Sequence, residues 1–215
     1  MRESFRAELD SLIHDLARFV RLAGEMMTNA SAALSRADLG LAELVISGES
    51  ETKALCDEMD QRCVTLLVLQ APVATDLRVV VAAIHMVRDV ERMGDLAQHI
   101  AKIARMKHPS VPVPDDVRPV FARMGLLATN LARDAATAIE SRDPMSAQRL
   151  AQADDEVDEL RRRIFQILFA ESWSHGVEPA VDAALIGRYY ERFADHAVAI
   201  AGQVNFLVTG LPRQR

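Results

Sequence analysis

The sequence predicts an all-α protein of six long helices, arranged as two tandem, pseudo-symmetric three-helix bundles. Three observations carry that expectation. Half of the 215 residues are hydrophobic but only 5% are aromatic, a mix rich in Ala, Leu and charged residues that favours helix over a β-sandwich or barrel. Prolines are few and fall between long stretches with apolar residues at three- and four-residue steps. A five-residue segment is also written twice: Glu91-Arg92-Met93-Gly94-Asp95 returns as Glu191-Arg192-Phe193-Ala194-Asp195, an offset of 100 residues.

The first helix is expected from about Ser4 to Ala37, with Asp38 capping the next. That second helix runs to about Gln70, where Ala71-Pro72 stops it, because the residue before proline is pushed out of helical geometry. Thr75 or Asp76 caps a third helix that reaches about Met106. Pro109, Pro112 and Pro114 then mark a linker. Beyond it a helix to about Arg142, a turn at Asp143-Pro144, a helix to about Ala170 and a last one over about Glu178 to Val208 repeat the plan. The expected units are residues 1–108, a linker 109–115, residues 116–210 and a tail 211–215.

The repeat extends beyond the doubled segment. Asn29-Ala30-Ser31-Ala32-Ala33-Leu34 matches Asp134-Ala135-Ala136-Thr137-Ala138-Ile139 at an offset of 105, which Asp38 and Asp143 keep. Such period-scale similarity is the mark of a duplicated structural unit. In the third helix, Val80, Ile84, Val87, Val90, Ala97 and Ile100 form one apolar stripe, and Glu91 and Asp95 fall at its margin. Gly94 and Ala194 are small enough to let a neighbouring helix approach, so the carboxylates are expected to flank a helix–helix seam.

Two carboxylates four residues apart share one helical face and repel unless a cation lies between them. Asp154 and Asp158, on the second helix of the second half, are also four apart. With antiparallel helices, Asp154, Asp158, Glu191 and Asp195 converge. An all-oxygen cluster of that kind suits a divalent metal or iron better than zinc. The first half offers Glu49, Glu91 and Asp95, but Lys53 stands where Asp158 stands in the second. Its ammonium is expected to neutralise Glu91 and Asp95, which leaves the second half as the stronger metal candidate. Against metal stand Arg88, Arg92, Arg188 and Arg192, each three residues before a carboxylate and placed for an ordinary helical ion pair. His99 and His196 read as edge or surface residues, and Arg161-Arg162-Arg163 as a solvated face.

Several classes are disfavoured. A formal charge of −6 gives no nucleic-acid footprint. No apolar run approaches a membrane span, no signal-peptide core opens the chain, and a cytoplasmic location is expected. Cys56 and Cys63, seven apart on a helix, are about 10 Å apart along its axis and cannot pair. No Glu-x-x-His pair, phosphate-cradling glycine loop or nucleophile elbow is present, so the protein is not expected to be an enzyme.

The doubled Glu-Arg-x-Gly/Ala-Asp segment on tandem three-helix halves resembles the PhoU family of phosphate-uptake regulators. Gln70-Ala71-Pro72-Val73-Ala74-Thr75-Asp76-Leu77-Arg78 resembles that family's Q-x-P-x-A-x-D-L-R segment. Tyr190-Glu191-Arg192-Phe193-Ala194-Asp195-His196-Ala197 is similar to the actinobacterial, PhoY-type members. The resemblance covers essentially the whole chain. It implies a cytoplasmic, non-enzymatic adaptor between the ATPase subunit of the phosphate-specific ABC transporter and a sensor histidine kinase. Such an adaptor restrains uptake and the phosphate-starvation response when phosphate is ample, and touches the membrane only through its partners. The resemblance also implies a homodimer, and metal at Glu91 and Asp95 in one half and Asp154, Asp158, Glu191 and Asp195 in the other. The rival reading is a stand-alone, carboxylate-rich metal-binding bundle. No basic anion site is apparent, so the phosphate signal is expected to arrive indirectly.

Overall fold

In the computed structural model, which describes residues 2–211, the chain runs through α1 (Arg2–Arg36), α2 (Leu39–Ser47), α3 (Glu49–Gln70), α4 (Ala74–Lys107), α5 (Arg118–Ser141), α6 (Ser146–Leu168) and α7 (Val177–Thr209). No strand occurs among the described residues. The six long helical segments are present, the second interrupted once at Gly48 and therefore divided into α2 and α3. The interruption is local: Gly48 keeps φ −70° and ψ −5°, and its N–H donates to Leu44 O at 3.3 Å. Of the expected tail, only Leu211 lies within the described residues.

Helix ends follow local chemistry. Asp38 caps α2 by accepting the Leu41 N–H at 3.0 Å. Ala71, barred from the right-handed helical region by Pro72, turns left-handed at φ 41° and returns its N–H to Leu67 O. One detail differs from expectation. Neither Thr75 nor Asp76 caps α4, which starts at Ala74 after an extended Val73 with no side-chain cap, because Pro72 has already set an extended backbone there.

Helices α1, α4, α7 and α5 pack in that cyclic order as an inner four-helix ring. The α2–α3 arm lies outside against α4, and α6 lies outside against α7 and α5. Each half is thus a three-helix unit, but the two share one continuous core in which Leu12, Met27, Met86, Leu131 and Phe193 are fully buried. Burying both halves' apolar stripes against each other removes more surface from water than either could alone. The predicted stripe on α4 is buried except for a partly covered Ile84. Cys56 and Cys63 are buried free thiols, as their spacing requires.

Small residues set the closest helix approaches. A Cβ at Gly24 would lie 3.0 Å from the Ala132 Cβ, and one at Gly125 would lie 2.7 Å from Ser31 Oγ, so α1 and α5 touch nearly backbone to backbone. Gly94 serves the same purpose between α3 and α4, where a Cβ would meet Thr52 Cγ2 at 3.3 Å. The seam expected beside Glu91 and Asp95 is therefore real.

Candidate functional site

The antiparallel pairing of α6 with α7 brings Asp154, Asp158, Glu191 and Asp195 together. Asp154 carries the clearest signature. Burial pushes its carboxyl up to about 7, reinforced by the charges of Asp195, Asp158, Asp155 and Glu191. Its Oδ1 is buried and accepts no hydrogen bond among the described residues. Desolvation, then the Glu191 charge, raises Asp195 as well, although its side chain reaches solvent.

Glu191 is 8% exposed and already has cations beside it. Its Oε2 lies 2.5 Å from Arg188 Nη1 and 3.0 Å from Arg161 Nε. Neither guanidinium is aligned to donate a hydrogen bond, so Glu191 Oε2 and Arg161 Nε are electrostatically paired but geometrically unsatisfied. Arg161 also lies over the Phe165 ring, 5.4 Å from its centroid. Arg161 thus departs from the solvated face expected of it. Nothing in the local sequence places it beside Glu191, because that contact depends on how α6 meets α7. Among the described residues, no group of three or more acidic, His or Cys side chains closes into a metal cage.

In the first half, Glu49 is held by two lysines, at 2.7 Å from Lys53 Nζ and 3.5 Å from Lys102 Nζ. Lys53 lowers the Glu49 carboxyl below its ordinary range by hydrogen bonding, and the Lys102 charge adds to this. Lys53 bonds Glu49 directly, while Glu91 and Asp95 act on it only through space. Cys56, facing the same two carboxylates, is pushed up to about 12 by burial first and the Glu91 charge second. That shift keeps the thiol protonated at neutral pH, and a protonated thiol is a poor nucleophile. Of the four intrahelical ion pairs allowed by the sequence, two appear: Arg92 with Asp95 at 3.1 Å, and Arg188 with Glu191. The doubled segments therefore use their arginines differently.

The seam between α4 and α7 also joins residues from the two halves that the sequence left unconnected. His196 Nδ1 lies 2.9 Å from Asp89 Oδ1, a hydrogen bond in which the ring N–H donates and the carboxylate accepts. The His99 and Tyr189 rings stack 5.1 Å apart. Both histidines thus lie on an inter-half interface, a placement that no single-helix periodicity signals.

Comparison with known proteins agrees with this architecture. The PhoU domain model matches residues 16–104 and again 121–204, one match in each half. The chain is 45% identical over 210 residues to the phosphate-specific transport system accessory protein PhoU homolog 2 of Mycobacterium tuberculosis, covering 98% of this chain and 99% of that one. It is 44% identical to PhoU homolog 1 of Mycobacterium leprae, covering 98% and 95%. The crystal structure of PhoU from Pseudomonas aeruginosa superposes with a TM-score of 0.86 at 26% identity, over 96% of this chain and all of that one. The phosphate transport system regulatory protein PhoU from Streptococcus pneumoniae gives 0.88 at 25% identity, over 98% and 100%. The chain belongs to the PhoU domain family.

Proposed function

We propose that this protein is an accessory regulator of phosphate-specific transport, acting in the cytoplasm as an adaptor without catalysis of its own. It connects the ATPase subunit of the phosphate transporter with a sensor histidine kinase, and holds back uptake and the starvation response when phosphate is ample. The observation that carries this reading is 45% identity, over nearly the full length of both chains, to a protein named for that transport system. Nor is any described helix long and apolar enough to cross a membrane, as suits a peripheral partner. Long rigid helices with an acidic balance of −6 suit docking on basic partner surfaces by charge complementarity. In this reading the protein acts as a homodimer, which light scattering of the purified chain would test.

The test is a pull-down of the transporter ATPase and the sensor kinase at high and low phosphate. Phosphate-dependent capture of both is expected, and capture of neither, or capture indifferent to phosphate, overturns the adaptor reading.

An accessory divalent cation or iron belongs to the same proposal. Asp154, Asp158 and Asp195, which as placed do not close into a metal cage, would have to draw together to hold it, and the unsatisfied Asp154 Oδ1 supports that position. Glu191 joins only if Arg161 and Arg188 give way. The second reading, a stand-alone metal-binding bundle, draws on the same orphaned oxygen. Asp154→Asn with Asp195→Asn shows whether metal and partner capture are coupled. Loss of metal with partner capture intact makes the metal accessory, whereas loss of both makes the acidic cluster part of the switch.

A further inference from the structure

The seam between α4 and α7 opens into a groove of about 310 Å³, lined by residues from both copies of the doubled segment. Arg92, Asp95 and His99 stand on the α4 side, and Arg188, Arg192 and His196 on the α7 side. In a chain of net charge −6, this groove gathers three guanidiniums against one carboxylate. That imbalance survives a count of internal pairing. Arg92 neutralises Asp95 at 3.1 Å. Arg188 shares Glu191 with Arg161, two cations on one carboxylate. Arg192 has no ion-pair partner among the described residues. Among the groove's guanidiniums, Arg192 therefore remains without a counter-charge.

The walls are also braced. Asp89 holds His196 through Nδ1, which leaves Nε2 without a protein partner among the described residues, and Tyr189 stacks on His99. Donors converge from two helices in different halves, which suits an anion with oxygens in several directions. Guanidinium forks bind such oxyanions by charge-assisted, often bidentate hydrogen bonds.

We propose that the α4–α7 groove binds a phosphate-class oxyanion, with Arg192 as its principal anchor and Arg92 and Arg188 flanking. The site escapes a reading of the sequence because it is assembled from arginines 100 residues apart in the chain. It goes beyond the adaptor reading and does not depend on it. Two sources share this chemistry, free inorganic phosphate and a phosphoryl group carried on a nucleotide.

Isothermal titration of the full chain distinguishes them, with inorganic phosphate in one arm, ATP in the second, and chloride at matched ionic strength as the control. Saturable one-site binding of phosphate, or of ATP alone if the nucleotide is the source, is expected in the presence of 1:1 competition by the other anion where both bind. Arg192→Gln should weaken it about tenfold, the scale of one charge-assisted contact. Arg92→Gln combined with Arg192→Gln should abolish it, while Arg133→Gln, exposed on α5 outside the groove, should leave it unchanged. The imidazole proton resonances of His99 and His196 in the unmodified protein should move with the same saturation curve, a readout that needs no variant. Binding of neither ligand, or binding indifferent to Arg192→Gln, overturns the proposal. The partner pull-down remains an independent outcome.

Discussion

The fully buried Tyr190 of α7 donates its hydroxyl to Ser31 Oγ of α1 at 2.8 Å, joining the second half of the chain to the first beside the doubled acidic segment. Ser31 Oγ in turn donates to Met27 O at 2.7 Å, so the tyrosine hydroxyl starts a short, partly buried chain of hydrogen bonds. Burial pushes the Tyr190 hydroxyl far above its ordinary range, keeping it a neutral donor. Tyr190→Phe should lower stability by about 1–2 kcal/mol, and Ser31→Ala by a similar amount by orphaning the hydroxyl. A double-mutant cycle in urea checks this, and additive losses would show that the two do not communicate.

Gly125 lies under the same contact. Gly-to-Ala in a helix ordinarily gains up to about 1 kcal/mol. Here the added Cβ would sit 2.7 Å from Ser31 Oγ and 3.0 Å from Ser31 Cβ, so Gly125→Ala should destabilise despite the better propensity. Thermal denaturation decides the sign.

Asp154 makes stability depend on pH. Its carboxyl is held up to about 7 in the folded chain, while an unfolded Asp titrates near 3.9. Between those values the unfolded chain loses the proton first, so this group's contribution to stability falls as pH rises from about 4 to 7 and is flat above. Asp154→Asn removes the loss. Its advantage should be absent at pH 4 and reach about 1–2 kcal/mol above pH 7, after discounting for the part of the group open to solvent. Denaturant midpoints of both proteins across that range give the comparison, and an advantage already present at pH 4 would count against the mechanism.

Glu191 has two guanidiniums leaning on it, so removing its charge is worse than removing one of theirs. Glu191→Ala should cost about 2 kcal/mol, less than a fully buried pair because both arginines reach solvent. Arg161→Ala leaves Arg188 in place and should cost less than half as much. Equal losses in chemical denaturation would mean that the two cations are not shared.

Metal analysis after dialysis against a divalent cation tests the asymmetry of the halves. At most one ion per chain is expected, lost in Asp154→Asn and retained in Glu49→Gln, whose parent residue is occupied by Lys53 and Lys102. Two ions of equal affinity would refute it.

The helices, their breaks at Pro72 and the Pro109–Pro114 stretch, the small residues at helix seams and the duplication were all legible in the sequence, because each rests on interactions within a few residues. That Lys53 replaces an acidic residue was legible as well, but not its partner: it bonds Glu49 and reaches Glu91 and Asp95 only through space. What was illegible is which cation meets which anion. Periodicity assigned Arg161 to solvent and His196 to an edge, yet one enters the acidic cluster and the other bonds Asp89. Those partners lie 30 and 107 residues away in the chain.

The sequence by itself determined the all-α class, the two three-helix repeats and the family, since repeat, period and punctuation are one-dimensional signals. Only the tertiary structure decided that the halves share one core, that Glu191 is already balanced by arginine, and that Arg92 and Arg192 face a common groove. The reason is physical. Helix formation is governed by neighbours along the chain, whereas charge pairing depends on distances set when whole helices pack.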